Sequence, residues 1–376
     1  MKILIAGRGF DRFGRHEVGI FELDQARALQ HAGHDVRFAA IDTRSVRRLR
    51  PLGCREYILG GIRVIYSSVP SGARPAFLSA RAQSLAADLV WKRLDSEHWS
   101  PEIVHSHFGT AILEKAGEHS AAAVYTEHFS KANKNSVPAE ELEREKKVCS
   151  LADRVICVSR PLAERISQRH CITTTVVPNI VDMSFSAGET ANGNADNCFR
   201  FVSTGSLINR KGFDLLLQAF AAVCRTISKD VKLTIIGDGE ERSRLVSLAR
   251  SLDVTGAVEF AGQLSRPEIA GLYCGADAFV LASRQETFGV VYIEAMAMGL
   301  PVIATSCGGP EDFVDDSNGF LIPKDDVLSL TSAMVKMVRE RDRFNSANIA
   351  ESARSRFSPD AVAAALTAVY EEVTAC

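Results

Sequence analysis

Short runs of apolar residues alternate along the chain with longer stretches whose apolar residues recur every three or four positions. The short runs predict buried strands, and the longer period predicts amphipathic helices. Strands are predicted at 2–6, 35–40, 62–66, 103–107, 121–126 and 154–158, and then at 199–204, 232–236, 258–261, 278–281 and 301–305. Because strands and helices alternate, we expect an α/β fold built on doubly wound parallel sheets.

A polar stretch interrupts this alternation near the middle of the chain. Residues 184–197 are rich in Ser, Asn and Gly, which predicts a linker. The chain has 376 residues, which is long enough for two domains. We therefore expect one domain over 1–180 and a second over 181–357. A last helix is expected over 358–374, starting at a Ser-Pro pair.

Charge is distributed unevenly over a chain whose net charge is only −2. Residues 1–180 hold 26 Lys and Arg against 20 Asp and Glu, a net of +6, and the remainder has a net of −8. Nothing in this balance indicates nucleic acid as a partner. One basic cluster stands out, formed by Arg44, Arg47, Arg48, Arg50 and Arg55. It is either a solvated loop or a patch that meets anionic lipid headgroups or a lipid-diphosphate acceptor.

The cysteines and the hydrophobic runs bear on the compartment. Nine cysteines occur, and no two have the C-x-x-C spacing, which indicates reduced thiols and no zinc site. The first residues run directly into a predicted strand, without the long apolar segment of a signal peptide. No run approaches the ~20 apolar residues that span a bilayer. We expect a cytoplasmic protein, with any membrane contact peripheral and on the inner face.

Two glutamates around one predicted helix carry the most specific chemistry. Glu286 precedes a Phe288-Gly289 turn, and Glu294 follows Glu286 after seven intervening residues, inside a predicted helix over 290–298. The N-terminus of that helix offers free amides and the positive end of the helix dipole to an anion. Two carboxylates for hydroxyl groups beside an anion site suit a sugar nucleotide. Two ordinary helix-surface glutamates are the alternative.

The surrounding sequence, ETFGVVYIEAMAMGLPVIAT, and the Gly-Gly-Pro-Glu run at 308–311 resemble the signature of the retaining, GT-B fold glycosyltransferases of family 4, or group 1. The segment HEVGIFELDQARALQHAGHDV resembles members that build bacterial capsule, exopolysaccharide or lipopolysaccharide. The resemblance implies two Rossmann-like domains facing across a cleft. It places the acceptor on the first domain and the nucleotide-sugar donor on the second. It also implies that the last helix, within 358–376, packs back on the first domain.

In the second half, the resemblance assigns donor-binding residues one by one. Gly205, Lys211 and Gly212 match the family's Gly-x5-Lys-Gly element, which opens a helix and suits a diphosphate. Family members commonly carry Arg directly after the first glycine. This chain has Ser206 there, so Arg210 is the candidate replacement. We expect Lys211 to be solvent-exposed.

The same match supplies the remaining donor contacts. Glu286 is expected to hold sugar hydroxyls, and Glu294 the ribose hydroxyls, because a carboxylate accepts two donors well. Gln263 and Leu264 are candidates for the base pocket. The full set of donor-binding candidates is Gly205, Arg210, Lys211, Gln263, Leu264, Glu286, Phe288, Gly289 and Glu294. The catalytic candidates are His128, Lys211 and Glu286.

The first half offers a glycine loop and two histidine positions. The loop after the first strand lacks the G-x-G-x-x-G spacing, which argues against a dinucleotide-binding dehydrogenase. The resemblance implies that Gly7 and Gly9 contact the diphosphate or the acceptor. The alternative is that they lie in an ordinary surface loop. His128 matches the family's strand-end Thr-x-His pattern, in which the histidine approaches the transferred sugar. His105 and His107 share one strand face without a third ligand, so we expect packing rather than a metal.

Together these features predict a metal-independent glycosyltransferase of hexosyl type. It would move a sugar from a UDP- or GDP-sugar to a saccharide or lipid-linked acceptor of a cell-surface polysaccharide. Retention of anomeric configuration is implied by the resemblance alone. No cofactor is expected, because cationic side chains and helix N-termini can neutralise the leaving diphosphate. Two alternatives remain open: a sugar-nucleotide epimerase or phosphorylase of the same fold, and a non-catalytic sugar-nucleotide binder.

Overall fold

The computed structural model describes residues 1–8, 20–43, 52–71, 76–128, 137–185 and 198–375. The chain divides into two compact α/β units. Unit 1 comprises Met1–Ile180 together with Pro359–Cys376, and unit 2 comprises Val181–Ser358. The predicted positions that lie outside the described residues are Gly9, Arg44, Arg47, Arg48 and Arg50.

Unit 1 contains an eight-stranded sheet. Its strands are β1 (Lys2–Arg8), β2 (Asp35–Asp42), β3 (Gly53–Leu59), β4 (Ile62–Ser68), β5 (Ile103–Ser106), β6 (Ala122–Glu127), β7 (Arg154–Cys157) and β8 (Thr174–Val176). Its helices are α1 (Ile20–His31), α2 (Ala76–Ser96), α3 (Ala139–Leu151), α4 (Arg160–His170) and the C-terminal α11 (Pro359–Thr374). The strand order is β3-β4-β2-β1-β5-β6-β7-β8. Every pairing is parallel except β3–β4.

The alternating side chains of β1 divide the core of unit 1 into two layers. Ile3 and Ile5 point to the layer that α1 and α11 cover, where Leu366 and Tyr370 are buried. Leu4 points to the opposite layer, which α2 covers with Trp91 and neighbouring apolar residues. Both faces of the sheet are therefore buried, which explains why its strands read as continuous apolar runs.

Unit 2 contains a six-stranded, fully parallel sheet. Its strands are β9 (Phe199–Thr204), β10 (Val231–Ile236), β11 (Val258–Gly262), β12 (Ala278–Leu281), β13 (Val302–Thr305) and β14 (Gly319–Ile322). Its helices are α5 (Phe213–Thr226), α6 (Arg242–Ser251), α7 (Arg266–Cys274), α8 (Val290–Ala297), α9 (Val327–Arg339) and α10 (Ser346–Phe357). The strand order is β11-β10-β9-β12-β13-β14, with parallel pairing throughout.

The predicted α/β class with parallel sheets is confirmed, and the differences are local. The sequence pattern missed β3, β8, β14, α7 and α10. Strand β3 is an antiparallel edge strand, so the sheet of unit 1 is not purely parallel. Strand β8 has only three residues, none of which is buried, and it therefore lacks the apolar run on which the prediction relied.

Two further observations concern the surroundings of the protein. Among the described residues, no helix combines the length and the apolar character needed to cross a bilayer. All eight cysteines in this part of the chain are free thiols. Burial raises the pKa of the Cys307 thiol to about 12, so this thiol stays protonated at neutral pH.

Candidate functional site

Each sheet has one point at which the strand order reverses, and several of the predicted site residues lie there. In unit 2, β10 lies on one side of β9 and β12 on the other. In unit 1, β2 and β5 flank β1 in the same way. Ligands of open α/β sheets bind outside the carboxyl ends of the strands at such a point. The loops after β9 and β12, and those after β1 and β5, are therefore the expected ligand-binding loops.

Two predicted residues meet at the switch point of unit 2. Lys211 ends a short 3-10 turn, Asn209–Lys211, which follows β9. Glu286 lies in the loop after β12. Lys211 Nζ donates a hydrogen bond to Glu286 Oε1 at 2.6 Å, and Ser283 Oγ donates to the same oxygen at 2.7 Å. The adjacency of β9 and β12 thus joins two side chains that are 75 residues apart in the sequence.

This ion pair is largely removed from solvent. The side chains of Lys211 and Glu286 are 14% and 8% exposed. The prediction that Lys211 is solvent-exposed is therefore wrong. The cause is packing, since a Cβ on Gly205 would lie 3.6 Å from Lys211 Cδ, so the aliphatic part of the lysine rests on that glycine. A buried ion pair is costly to break, because the remaining charge is left without a partner.

The turn before α5 requires a glycine, Gly212, directly after Lys211. The φ of Gly212 is +67°, a left-handed conformation that favours glycine. A Cβ at this position would lie 1.9 Å from the carbonyl oxygen of Ala282, at the end of β12. The turn is therefore pressed against the backbone that leads to Glu286. This close approach brings Lys211 within reach of the carboxylate.

The Phe288-Gly289 turn leads into α8 as predicted. Gly289 has φ +96° and is the N-cap of α8, with no side-chain cap hydrogen bond. Phe288 is buried and packs against the rings of Phe313 and Phe357. A Cβ on Gly309 would lie 2.5 Å from the carbonyl oxygen of Phe288, so the Gly-Gly segment lies directly on this turn. The first turn of α8 is thus fixed in place beside Glu286.

Glu294 lies inside α8 and is buried. Its neighbour Tyr273 donates a hydrogen bond to Thr204 Oγ1 at 2.9 Å, at the end of β9. Burial, and then the Glu294 charge, raises the pKa of the Tyr273 hydroxyl well above its usual range. Glu294 is therefore near the same strand end as the Gly205 turn, and its contact with the donor stays a prediction.

The other predicted donor residues are more dispersed. Arg210 lies in the same turn as Lys211, and its carbonyl oxygen accepts a hydrogen bond from the Arg284 amide at 2.8 Å. Gln263 and Leu264 follow β11, which is two strands away from β9. They share the carboxyl edge of the sheet with Lys211 but lie apart from the ion pair. No sequence motif indicated Arg284, whose side chain hydrogen-bonds to several of these segments.

In unit 1, three histidines form one cluster at the ends of β5 and β6. His105 accepts or donates hydrogen bonds with Tyr370 Oη (Nδ1, 2.7 Å) and with Thr126 Oγ1 (Nε2, 2.6 Å). The next histidine, His107, pairs its Nδ1 with His128 Nε2 at 2.9 Å. His105 and His107 are fully buried, whereas His128 is only half-buried. The prediction that His105 and His107 serve packing agrees with these contacts, and His128 remains the accessible member.

Burial sets the charge of this cluster. It lowers the pKa of His105 to about 3, with a smaller effect from the charge that His128 would carry. It also lowers the pKa of His107 well below its usual value, helped by the neighbouring histidines and Arg8. The pKa of His128 is lowered to about 3 by desolvation and then by Arg8. All three imidazoles are therefore neutral near pH 7.

We expect unit 1 to lose stability as the pH falls below about 6.5. An unfolded histidine has a pKa near 6.5, so between about pH 6.5 and pH 3 the unfolded chain binds protons that folded His105 and His107 do not. Each contributes a loss of at most about 1.4 kcal/mol per pH unit. Urea unfolding at several pH values between 7.5 and 4.5 should show a shallower slope for His105→Gln. The exposed His31→Gln should keep the wild-type slope, and an unchanged slope in His105→Gln would contradict the prediction.

Close packing explains why a glycine, Gly7, lies near the end of β1. A Cβ on Gly7 would lie 2.8 Å from Phe38 Cζ and 3.2 Å from Glu22 Cβ. Glycine is therefore needed to seat α1 against β1, and a contact of Gly7 to a diphosphate or acceptor remains a prediction. In the described part of the chain, neither carboxylate oxygen of the buried Glu22 has a hydrogen-bond partner. Burial raises the pKa of Glu22, against the opposing effect of Arg8.

A stack of side chains beside His128 was not predicted. The Arg8 guanidinium lies 3.7 Å above the Phe108 ring, and Phe108 stacks on His128 with 5.3 Å between ring centroids. Arg8 Nε is also 3.7 Å from Glu22 Oε1. A cation–π contact of this type between an arginine and an aromatic ring carries no sequence signature, because it depends on two neighbouring strand ends.

Comparison with known proteins gives consistent matches. The model described as Glycosyltransferase Family 4 matches residues 18–185, and the model described as Glycosyl transferases group 1 matches residues 198–340. The lipopolysaccharide core biosynthesis glycosyltransferase LpsE of Rhizobium meliloti (strain 1021) is 37% identical over 142 residues, which are 37% of this chain and 39% of LpsE. The match thus spans about two fifths of that relative.

Solved structures extend the likeness to the whole chain. Sucrose-phosphate synthase from Thermosynechococcus elongatus superposes with a TM-score of 0.81 at 22% identity, covering 100% of this chain and 99% of the other. Anabaena Alr3699/HepE, solved in complex with UDP and glucose, superposes with a TM-score of 0.73 at 18% identity and covers 99% of this chain and 100% of the other. At such identities the likeness establishes the fold.

Proposed function

Because the chain belongs to the group 1, family 4 glycosyltransferases and has the GT-B fold, we propose that it moves a sugar from a nucleotide-sugar donor to a saccharide or lipid-linked acceptor. The transfer proceeds with retention of anomeric configuration and serves a cell-surface polysaccharide such as capsule, exopolysaccharide or lipopolysaccharide. The observation that carries the proposal is the Lys211–Glu286 pair at the switch point of unit 2. The LpsE match and the UDP and glucose bound by HepE support the pathway and the donor.

The charges of unit 2 fit a nucleotide diphosphate sugar. Lys211 neutralises negative charge that grows on the diphosphate as the sugar departs, and such preorganised charge is usually the largest catalytic contribution. Arg210 in the same turn adds a second cation. The N-terminus of α8, which no side chain caps, adds backbone N–H donors and the positive end of a dipole. Glu286 then accepts hydrogen bonds from the sugar hydroxyls, and Glu294 from those of the ribose.

Donor binding has to reorganise the Lys211–Glu286 pair. Glu286 Oε1 already accepts from Lys211 and from Ser283. A diphosphate oxygen offers Lys211 a second anionic partner, while sugar hydroxyls offer Glu286 replacement donors. The two residues therefore neutralise each other before the donor arrives and act on the donor together afterwards. This exchange avoids leaving a buried charge unpaired at any stage.

His128 is the residue of unit 1 proposed to approach the reacting sugar. Its half-buried, neutral imidazole lies next to Phe108 and His107 at the end of β6. A neutral imidazole has one donor and one acceptor nitrogen, and a sugar hydroxyl can replace the contact that His128 Nε2 makes with His107. Because the pKa of His128 is lowered to about 3, it brings no positive charge to the glycosidic centre at neutral pH.

The proposal is tested with a panel of UDP-, GDP- and ADP-sugars in excess EDTA. We expect hydrolysis of one donor without acceptor, and transfer when saccharide or lipid-linked acceptors are added, because the cationic residues supply the positive field. The anomeric configuration of the product is read by NMR. Activity that EDTA abolishes and Mg²⁺ or Mn²⁺ restores would overturn metal independence. Donor binding without turnover would indicate a binder, and epimerised or phosphorolysed sugar would indicate the other enzyme classes.

We further expect salt-dependent binding to anionic membranes through Arg44, Arg47, Arg48 and Arg50. Each basic residue near an anionic surface contributes about 1 kcal/mol, screened within about 8 Å at physiological salt. Leu52, two residues after Arg50 in the sequence, is 67% exposed and offers apolar contact. Vesicles with and without anionic lipid are compared by co-sedimentation at low and high salt.

The matched variants decide whether this basic segment is a membrane contact. Replacing the four arginines by serine should abolish sedimentation with anionic vesicles. Replacing the exposed cations Arg81 and Lys92 on α2 should leave it unchanged. Absence of wild-type binding at low salt would show that the segment is a surface loop, and a soluble acceptor would then be favoured.

A further inference from the structure

The Arg284 side chain connects the two loops that carry Lys211 and Glu286. It lies two residues before Glu286, yet its guanidinium is directed at the other loop. Nη1 donates to the carbonyl oxygen of Asn209 at 2.6 Å and to Asp214 Oδ1 at 3.0 Å, and Nη2 donates to Asp214 Oδ2 at 3.0 Å. Nε donates to Asp325 Oδ1 at 2.8 Å. One side chain therefore holds the start of the Lys211 turn and the first turn of α5 together.

The Lys211 turn has few other attachments in the described part of the chain. Its internal bonds run from the Lys211 amide to Ile208 O at 3.0 Å and from the Gly212 amide to Asn209 O at 3.2 Å. Gly212 is the N-cap of helix α5, and no side chain caps the helix there. The Arg284 amide also donates to Arg210 O, but that bond belongs to the backbone and survives substitution of the side chain.

The guanidinium of Arg284 is not itself a free phosphate ligand. It forms a planar, two-bond fork with Asp214 and a further ion pair with Asp325, so its charge is already matched by two carboxylates. Its side chain is 23% exposed. An arginine fork of this kind fixes geometry as well as charge, and a lysine cannot reproduce it.

We propose that Arg284 is a positioning residue that places Lys211 for the donor diphosphate. The inference rests on the proposed function, because it assigns Arg284 an action through Lys211. Without the fork, the 209–212 turn loses its side-chain attachment to α5, and Lys211 Nζ no longer stays at the Glu286 carboxylate. The effect of removing Arg284 should then depend on whether Lys211 is present.

A double-mutant cycle tests this dependence. UDP, GDP and ADP are titrated by calorimetry into wild type, Arg284→Gln, Lys211→Ala and the double variant. We expect Arg284→Gln to weaken the preferred nucleotide about 10-fold in the wild type and less than about 2-fold in the Lys211→Ala background, as for residues coupled in one network. Arg284→Lys should remain closer to Arg284→Gln than to wild type, and the exposed Arg250→Gln should match wild type.

Hydrogen exchange gives a second measurement that needs no ligand. Arg284→Gln should speed exchange of the Lys211 and Gly212 amides, whereas Arg250→Gln should not. Equal losses of affinity in both backgrounds, or unchanged exchange at 209–212, would overturn the positioning role. If the wild type binds none of the three nucleotides, the donor assignment itself fails. If Lys211→Ala weakens binding but Arg284→Gln does not, only the Arg284 inference fails.

Discussion

Replacing Lys211 by alanine is expected to lower kcat/KM by about 100- to 1,000-fold, or about 3 kcal/mol of transition-state stabilisation, the usual loss on removing one preorganised donor. Lys211 is the cation that the structure places directly at the Glu286 carboxylate. The variant is assayed with the donor identified in the nucleotide-sugar panel. A further effect is expected on folding, because Glu286 would keep Ser283 as a donor but lose its cation. Urea unfolding should show a loss of about 1–3 kcal/mol.

Lys232→Ala is the matched control, because this lysine lies on β10 in the same unit with its side chain exposed. It should retain wild-type turnover and stability. Near-normal kcat/KM for Lys211→Ala would remove Lys211 from the diphosphate role, whatever the stability change. Glu286→Gln separates the two partners further, because it keeps a hydrogen-bond acceptor for Lys211 while removing the charge.

Gly212→Ala is expected to destabilise unit 2 by about 2–4 kcal/mol, through a left-handed φ and a clash with backbone. The added Cβ would lie 1.9 Å from Ala282 O, directly after β12, and a backbone atom cannot rotate away as a side chain can. The Lys211 turn would have to move off β12. We therefore expect turnover to fall even at temperatures where the variant stays folded, as measured by thermal unfolding alongside kcat/KM.

Gly271→Ala provides a control of opposite sign. Gly271 lies in α7, and a Cβ there would meet nothing within 4 Å. Alanine in a helix interior should stabilise by roughly 0.5–1 kcal/mol relative to glycine. If Gly212→Ala unfolds at the wild-type temperature and turns over normally, the close approach of the turn to β12 is not required for the site.

The elements that the sequence predicted are those with continuous apolar runs. The central strands of the two sheets are buried on both faces, so their apolar runs were visible without knowledge of their neighbours. Strand β3 was missed because most of its side chains are exposed or half-buried. A signal was nevertheless present, since Gly60-Gly61 joins β3 to β4 with φ of +55° and +83°, and a Gly-Gly pair between strands indicates a hairpin.

For the site, the sequence predicted residue types and strand ends but not their mutual contacts. Glu286 and Lys211 were each assigned from local motifs, while their pairing depends on β12 lying beside β9 rather than beside β11. Strand order is a long-range property that no local pattern contains. The same limit applies to the Arg284 fork and to the stack of Arg8 on Phe108. Each contact joins segments that are far apart in the sequence, so no local pattern predicts it.

The position of α11 sets an order of events during synthesis. This last helix completes the core of unit 1, where Leu366 is fully buried and Tyr370 bonds to His105, although residues 181–358 of unit 2 precede it in the chain. Domains usually fold as they emerge, N-terminal first. Here the nascent unit 1 lacks part of the cover on the α1 side of its sheet until α11 has left the ribosome. All residues of unit 2 are synthesised before α11, so unit 2 can complete its folding first. A chain truncated before α11 would therefore contain a folded second domain and an incompletely folded first domain. The incomplete domain would be a target for proteolysis.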